Sequence, residues 1–285
     1  MPVGGPNPPS PRSTGLKRSR KKERKTKMLP GKNFDLIIFL LTVAGMYLFM
    51  RKAEGGRLPN IRTIPLLEDL DSIIGRAAEM GRPVHYTTGY GGLHDEWAVM
   101  CVAGLAILSK VAEMCGKYRV WLQFTCFRGY LVPIGQDILK TGYEKGGSPE
   151  MYTPDMITYI GEDQPAYIAY IMDYFMTEKP AVSMVFGAIQ AEMNNILMQA
   201  ARINAISLAG TPRLYYQGKM ALMCDYCLLG EELYVAGASI TKDPVHLGCI
   251  EAEDWFKVGI IALLVIALIL TTLGMENVLQ GLLKW

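Results

Sequence analysis

PVHYTTGYGGLHDEW, residues 83–97, decides how the rest of the chain is read. PVHYTTG (83–89) is a short β-type run, the glycines at 89, 91 and 92 form a turn, and a long helix is predicted from about Leu93 to Met114. Strand, glycine turn and helix are then echoed downstream. YRVWLQFTC (118–126) is the next strand, with a helix near Gln136 to Tyr143. MITYIG (156–161) is a third, backed by PAYIAYIMDYFMTE, and AVSMVFGA (181–188) a fourth, leading into AEMNNILMQAARIN. AISLAGT (205–211) is the fifth, and a last helix is expected from roughly Lys219 to Gly237. Ahead of these, PLLEDLDSIIGRAAEMGRP (65–83) is an amphipathic helix started by Pro65 and stopped by Gly81 and Pro83. The strands are short apolar runs rather than alternating patterns, as in strands covered on both faces. Alternation of strand and helix therefore predicts an α/β fold: a Rossmann-like, doubly wound, mainly parallel sheet of about five strands spanning residues 65–250.

Outside that domain lie two apolar runs, LIIFLLTVAGMYLFM (36–50) and VGIIALLVIALILTTLG (258–274). Neither contains Asp, Glu, Lys, Arg or His, and with their flanks both reach the length needed to cross a bilayer. Trp255 and Phe256 sit where an interfacial aromatic belongs. Transmembrane helices are accordingly expected at 34–50 and 255–274, with a Gly/Pro-broken linker at 51–64 and a short tail at 275–285. Ala98 to Leu108 is apolar but short, and reads as a buried core helix. Residues 1–33 are rich in Pro, Gly and Ser and then in Lys and Arg, with no apolar period, so a disordered basic tail is expected. Its segment 17–32 suits anionic lipid head groups. No aromatic is interleaved with the charges, which argues against specific nucleic-acid recognition. The expected location is an integral membrane protein. The tail's positive charge and the basic residues Arg51, Lys52, Arg57 and Arg62 pull the sidedness in opposite directions.

RLPNIRTIPLLEDLDSIIGRAAEMGRPVHYTTG (57–89), FGAIQAEMN (186–194) and SLAGT (207–211) resemble an uncharacterised prokaryotic family of membrane-anchored proteins, known only as a domain of unknown function. The likeness runs over most of residues 57–255. It implies no activity, cofactor or site residue, and the basic tail is not part of it.

Ligands of open parallel sheets bind beyond the carboxyl ends of the strands. Five segments are expected there: Thr87–His94, Cys126–Tyr130, Gly161–Gln164, Gly187–Glu192 and Gly210–Arg213. The candidate ligand contacts are Thr88, Gly89, Gly91, Gly92, His94, Gly187, Gln190, Glu192 and Thr211. A glycine turn before a helix exposes N–H groups that favour anions, although the same glycines serve turn geometry alone. The dinucleotide fingerprint fails where His94 replaces its last glycine, and no P-loop lysine follows. Asp95 and Glu96 read as first-turn acids complementing the helix dipole. His85, His94 and His246 are the only histidines, and no metal set is predicted. Cys224-Asp225-Tyr226-Cys227 falls inside the expected last helix, where a redox pair is out of place. The six cysteines sit mostly in apolar stretches, as reduced core thiols do.

No complete catalytic constellation is present, and no cofactor or catalytic residue is named. Three classes of function remain. One is a small-ligand-binding module for an anionic or nucleotide-like molecule. Another is a noncatalytic subunit or scaffold with protein partners in a membrane complex. The third is a membrane-bound enzyme using Glu192 as acid or base.

Overall fold

The computed structural model describes residues 33–57, 59 and 63–274. The basic tail, residues 58 and 60–62 of the expected linker, and the tail from 275 lie outside the described residues. The chain forms two units, one containing the start of the first helix up to Leu41 and the end of the last from Leu264, the other Thr42–Leu263. The second unit holds the whole sheet. Its elements run α1 (Asn33–Glu54), α2 (Pro65–Met80), β1 (Val84–Gly89), α3 (Ala98–Tyr118), β2 (Leu122–Cys126), α4 (Leu131–Gly146), β3 (Ile157–Tyr159) and α5 (Gln164–Thr177). They continue as β4 (Val182–Ala188), α6 (Glu192–Arg202), β5 (Ile206–Thr211), α7 (Leu214–Met223), β6 (Tyr226–Leu229), α8 (Glu232–Thr241) and α9 (Pro244–Thr272).

All six strands are parallel, in the order β3-β2-β1-β4-β5-β6. That is the order of Rossmann-type doubly wound sheets. Successive side chains alternate between faces, and each face has its own apolar layer. Val84, Tyr86, Phe124, Met184 and Phe186 pack beneath α2, α3, α4 and α8. Val185 and Ala209 pack beneath α5, α6 and α7 with Tyr167, Ile171 and Phe175. Local signals start the helices as their chemistry requires. Pro65 opens α2, and the Asp163 carboxylate accepts the Ala166 N–H at 3.0 Å to cap α5.

Six strands rather than five form because the expected last helix is interrupted. Asp225 ends α7 by accepting the Ser207 N–H (2.8 Å) and Oγ–H (3.0 Å), while its own N–H donates to the Ser207 carbonyl. The next four residues then pair with β5 as β6. Cys227 is thus on a strand and Cys224 caps α7, correcting their placement within a helix. The expected linker also starts later, since α1 continues to Glu54, and α9 begins at Pro244, well before the apolar run.

Among the described residues, three helices are long and apolar enough to cross a membrane: Asp35–Glu54, Ala98–Tyr118 and Pro244–Thr272. They differ in burial. Half of the apolar window of α3 is inside the domain, whereas the corresponding windows of α1 and α9 are almost wholly exposed.

α3 lies close against the sheet at Gly104, where a Cβ would overlap the Phe186 carbonyl oxygen. The Tyr86 hydroxyl donates to the Gly104 carbonyl at 2.5 Å, locking the contact. Gly104→Ala is expected to destabilise the domain by about 1–3 kcal/mol through overpacking. Gly218→Ala, on an α7 position with open space around it, should instead add up to ~1 kcal/mol from helix propensity. Urea unfolding of the two variants in detergent checks the opposite signs; equal midpoints would remove the packing argument.

Candidate functional site

β1 and β4 are neighbours in the sheet, yet the chain leaves them on opposite faces, β1 toward α3 and β4 toward α6. This divergence opens the crevice where doubly wound sheets take ligands. Two glycines shape it. Gly89 has φ +72° and Gly187 φ +142°, conformations that L side chains rarely adopt. A Cβ at Gly89 would come within 2.5 Å of the Ala188 carbonyl oxygen, and one at Gly187 within 2.7 Å of the Thr88 oxygen. The backbones therefore meet more closely than any side chain permits.

At the base of the crevice stands Glu192, the first residue of α6 and fully buried. Its Oε1 accepts the Gln190 N–H at 2.9 Å, while Oε2 is buried with no hydrogen-bond partner among the described residues. Burial pushes the carboxyl up from 4.5 to about 7, against the opposing pull of the backbone N–H groups and of Arg213. Arg213 itself is held by aromatic faces, 5.3 Å over the Trp97 ring and 5.5 Å over Tyr216, and its Nη1 donates to the Ile189 carbonyl at 3.3 Å. Beside Glu192 stand Tyr90, Phe127 and Tyr167, with ring centroids 4.7–5.6 Å apart. The Tyr167 hydroxyl and Thr87 Oγ1 share a short hydrogen bond. Burial first, and the Glu192 charge second, hold the Tyr90 phenol well above its ordinary range, so it stays a neutral donor.

The glycine turn has a different character. Gly89 N–H donates to Thr87 Oγ1 (3.1 Å), Tyr90 N–H to the Ala188 carbonyl (3.2 Å) and Leu93 N–H to the Tyr130 hydroxyl (2.9 Å). The Asp95 carboxylate accepts the N–H groups of Gly92 and Trp97, both at 3.0 Å. An internal carboxylate thus sits among donors that a phosphate would need. α3 starts only at Ala98, so Asp95 and Glu96 precede the helix rather than forming its first turn, and Asp95 clamps the loop instead of complementing a dipole.

The family described as a domain of unknown function (DUF6754) matches residues 24–282. The chain belongs to this family. The match reaches beyond the stretches that carry the sequence resemblance, taking in α1, α9 and the end of the basic run. None of the curated proteins and none of the solved structures compared with the chain matches it.

Among the residues singled out by sequence, the fold brings Thr88, Gly89, Gly91, Gly187 and Glu192 together. Gly91 packs on Ala188, and Thr88 is buried with its side chain beside the Cys101 thiol. Gln190 contributes its backbone N–H to Glu192, and Gly92 faces Asp95 and Tyr130. His94 does not join them: it is exposed, its ring edge-on to Tyr130 at 4.9 Å. Thr211 ends β5, where its Oγ1 accepts the Arg213 N–H at 3.4 Å. Tyr90 and Phe127 fall in two of the segments expected at this edge without being named as contacts, and Tyr167, on α5, lies outside all five; three separate segments assemble that wall. At the Cys224–Cys227 pair, burial pushes the Cys224 thiol up to about 12, which keeps it protonated and unreactive.

The raised Glu192 has a thermodynamic consequence. The folded state holds this proton more tightly than the unfolded chain, so its stabilising effect is complete below pH 4.5 and fades as pH rises to about 7. Buried His85, held down at about 3 from 6.5, acts in the opposite sense: its contribution is complete above 6.5 and lost as pH falls. The difference between wild type and Glu192→Gln isolates the acid. The variant should gain on wild type between pH 4.5 and 7 by about 3 kcal/mol in all, then hold level. Parallel stability curves across that range would show that Glu192 titrates normally.

Proposed function

We propose that the protein is a membrane-tethered, noncatalytic module of a membrane assembly, and that its crevice at the β1–β4 divergence holds a small ligand. One observation carries this reading: a fully buried carboxyl at the ligand edge of the sheet, with one oxygen lacking a partner among the described residues. Buried polar atoms are nearly always satisfied, and a hydroxyl or amine on a bound molecule would satisfy this one. The Tyr90, Phe127 and Tyr167 rings favour an apolar or aromatic body for the same molecule. The occupied N–H groups of the glycine turn and the Asp95 charge disfavour phosphate there. The ligand class is therefore shifted from the anionic or nucleotide-like molecule expected from the glycines alone.

Tethering rests on α1 and α9 as two membrane spans. Both expose apolar side chains along their length, such as Leu41 and Leu48 on α1 and Leu268 on α9, a surface that water disfavours and lipid accepts. α3, though long enough, belongs to the core of the domain. The basic segment 17–32 would add attraction to anionic head groups. The second reading, an enzyme, is favoured by the same carboxyl, since a group near 7 suits proton transfer at neutral pH.

Native mass spectrometry of the full-length protein, extracted gently from its own membrane, tests the reading. Wild type is expected to carry a stoichiometric small molecule. Glu192→Gln should lower its affinity about tenfold, about 1.4 kcal/mol. Protein chains that co-purify over an empty crevice would favour a pure scaffold, and turnover of the bound molecule would favour the enzyme.

A further inference from the structure

A second concavity lies away from the crevice, where α3 and α8 meet the bases of α1 and α9. It encloses about 470 Å³ and is lined by Val102 and Ala106 from α3, Gly237 from α8, Ile250 and Phe256 from α9, and Met46 from α1. Val99 and Val102 stand 66% and 46% exposed along it, on a helix otherwise committed to the core. The α1 and α9 walls are tightly joined. A Cβ at Gly45 would come within 2.8 Å of the Phe256 ring, and one at Gly248 within 2.9 Å of the Met50 Cα, the small-residue crossing that lets membrane helices approach closely.

The depth of this groove is set by charge. Lys52 pairs with Glu251 at 2.6 Å, and Lys257 with Glu253 at 3.2 Å and Asp254 at 3.6 Å. Together with Arg51 these groups form a charged belt, beyond which residues 36–50 of α1 and 258–272 of α9 contain no Asp, Glu, Lys, Arg or His. Met46 lies five residues past Arg51 on the uncharged side, roughly 7.5 Å along the helix. One wall of the groove therefore belongs to the uncharged run and the opposite wall to the domain. His246 and Glu253, with the hydroxyl-bearing Thr42, Tyr234 and Thr241, supply the polar part of its lining.

We infer that this groove is a lipid site, holding one acyl chain of a membrane phospholipid drawn from the leaflet beside the domain. The inference rests on the reading of α1 and α9 as membrane spans, and is independent of Glu192. A helix with side chains, about 10 Å across, takes roughly 420 Å³ per turn. The groove thus accommodates only about one turn of a partner helix, while a thin alkyl chain can run its length. An acyl chain is also the one apolar molecule always present at this depth. Its insertion covers Val99 and Val102, which otherwise face water, and couples the leaflet to the α3–α8 contact.

The full-length protein is reconstituted in phosphatidylcholine vesicles doped with a phosphatidylcholine that carries a diazirine on one acyl chain. After irradiation, adducts are mapped by mass spectrometry. Expected are adducts on residues 99–106 of α3 and 234–241 of α8, besides those on 258–272 of α9. Val102→Trp, which fills the groove from an exposed position, should reduce the α3 and α8 adducts several-fold and leave the α9 adducts unchanged. Val99→Trp repeats the test should the first variant fold poorly. Labelling of 258–272 with none on α3 or α8 overturns the lipid site while sparing the membrane reading. Labelling of neither overturns both. A crosslinked second copy seated on α3 would replace the lipid with a dimer and also overturn it.

Discussion

The close approach of β1 and β4 at their carboxyl ends is the constraint on which the rest of the domain depends. β1 is central, pairing with β2 on one side and β4 on the other. At its end the register with β4 shifts between Thr87 and Gly89. Two backbones with no Cβ, at Gly89 and Gly187, allow the strands to close there and their helices to leave on opposite faces. That divergence delivers Glu192 into the interior, since α6 begins four residues beyond β4. The buried acid is thus a product of topology and not only of its own local sequence.

Two acids near the crevice show how context divides one chemistry into two roles. Asp95 accepts two backbone N–H groups and lies 3.8 Å from Arg128, so it is well satisfied and acts as an internal anion for the glycine turn. Glu192 has one N–H partner, a buried second oxygen and a cation held back by aromatic faces, so desolvation dominates. An ionised carboxylate without full pairing is costly in a low-dielectric interior, and raising its pKa is the common escape. Such perturbed groups cluster at functional sites, which is why the proposed ligand is centred on Glu192 rather than on the glycines.

The other organising feature is the sharp boundary between charged and uncharged helix surface at the bases of α1 and α9. Lys52–Glu251 joins the two helices within the charged segment that borders their apolar runs, and Gly45 and Gly248 let them cross with little between them. The bases of both helices are thus tied to each other beside α3 and α8, and apolar surface is shared between the domain and its proposed anchors.

Fold class was legible from residues 83–211 because strands buried on both faces must be apolar runs, and the glycine turns and helical periods between them have few other readings. β6 was not legible: YCLL continues a helical pattern, and only the Asp225–Ser207 bonds and the open edge of β5 turn it into a strand. Glycines 89, 91 and 187 and Glu192 could be placed at one sheet edge from spacing alone. Their roles could not, because the burial of Glu192, the capture of the loop N–H groups by Asp95 and the Tyr90–Phe127–Tyr167 wall arise between segments distant in the chain. Apolar length marked α1 and α9 and set α3 apart as a short core helix. α3 in fact runs 21 residues, long enough to span, so its core place follows from burial, a property of packing, and not from shortness. Apart from β6, sequence determined which segments are strands, helices and apolar runs through local periodicity and hydropathy. Tertiary structure decided which polar groups lose water, and that loss sets their chemistry.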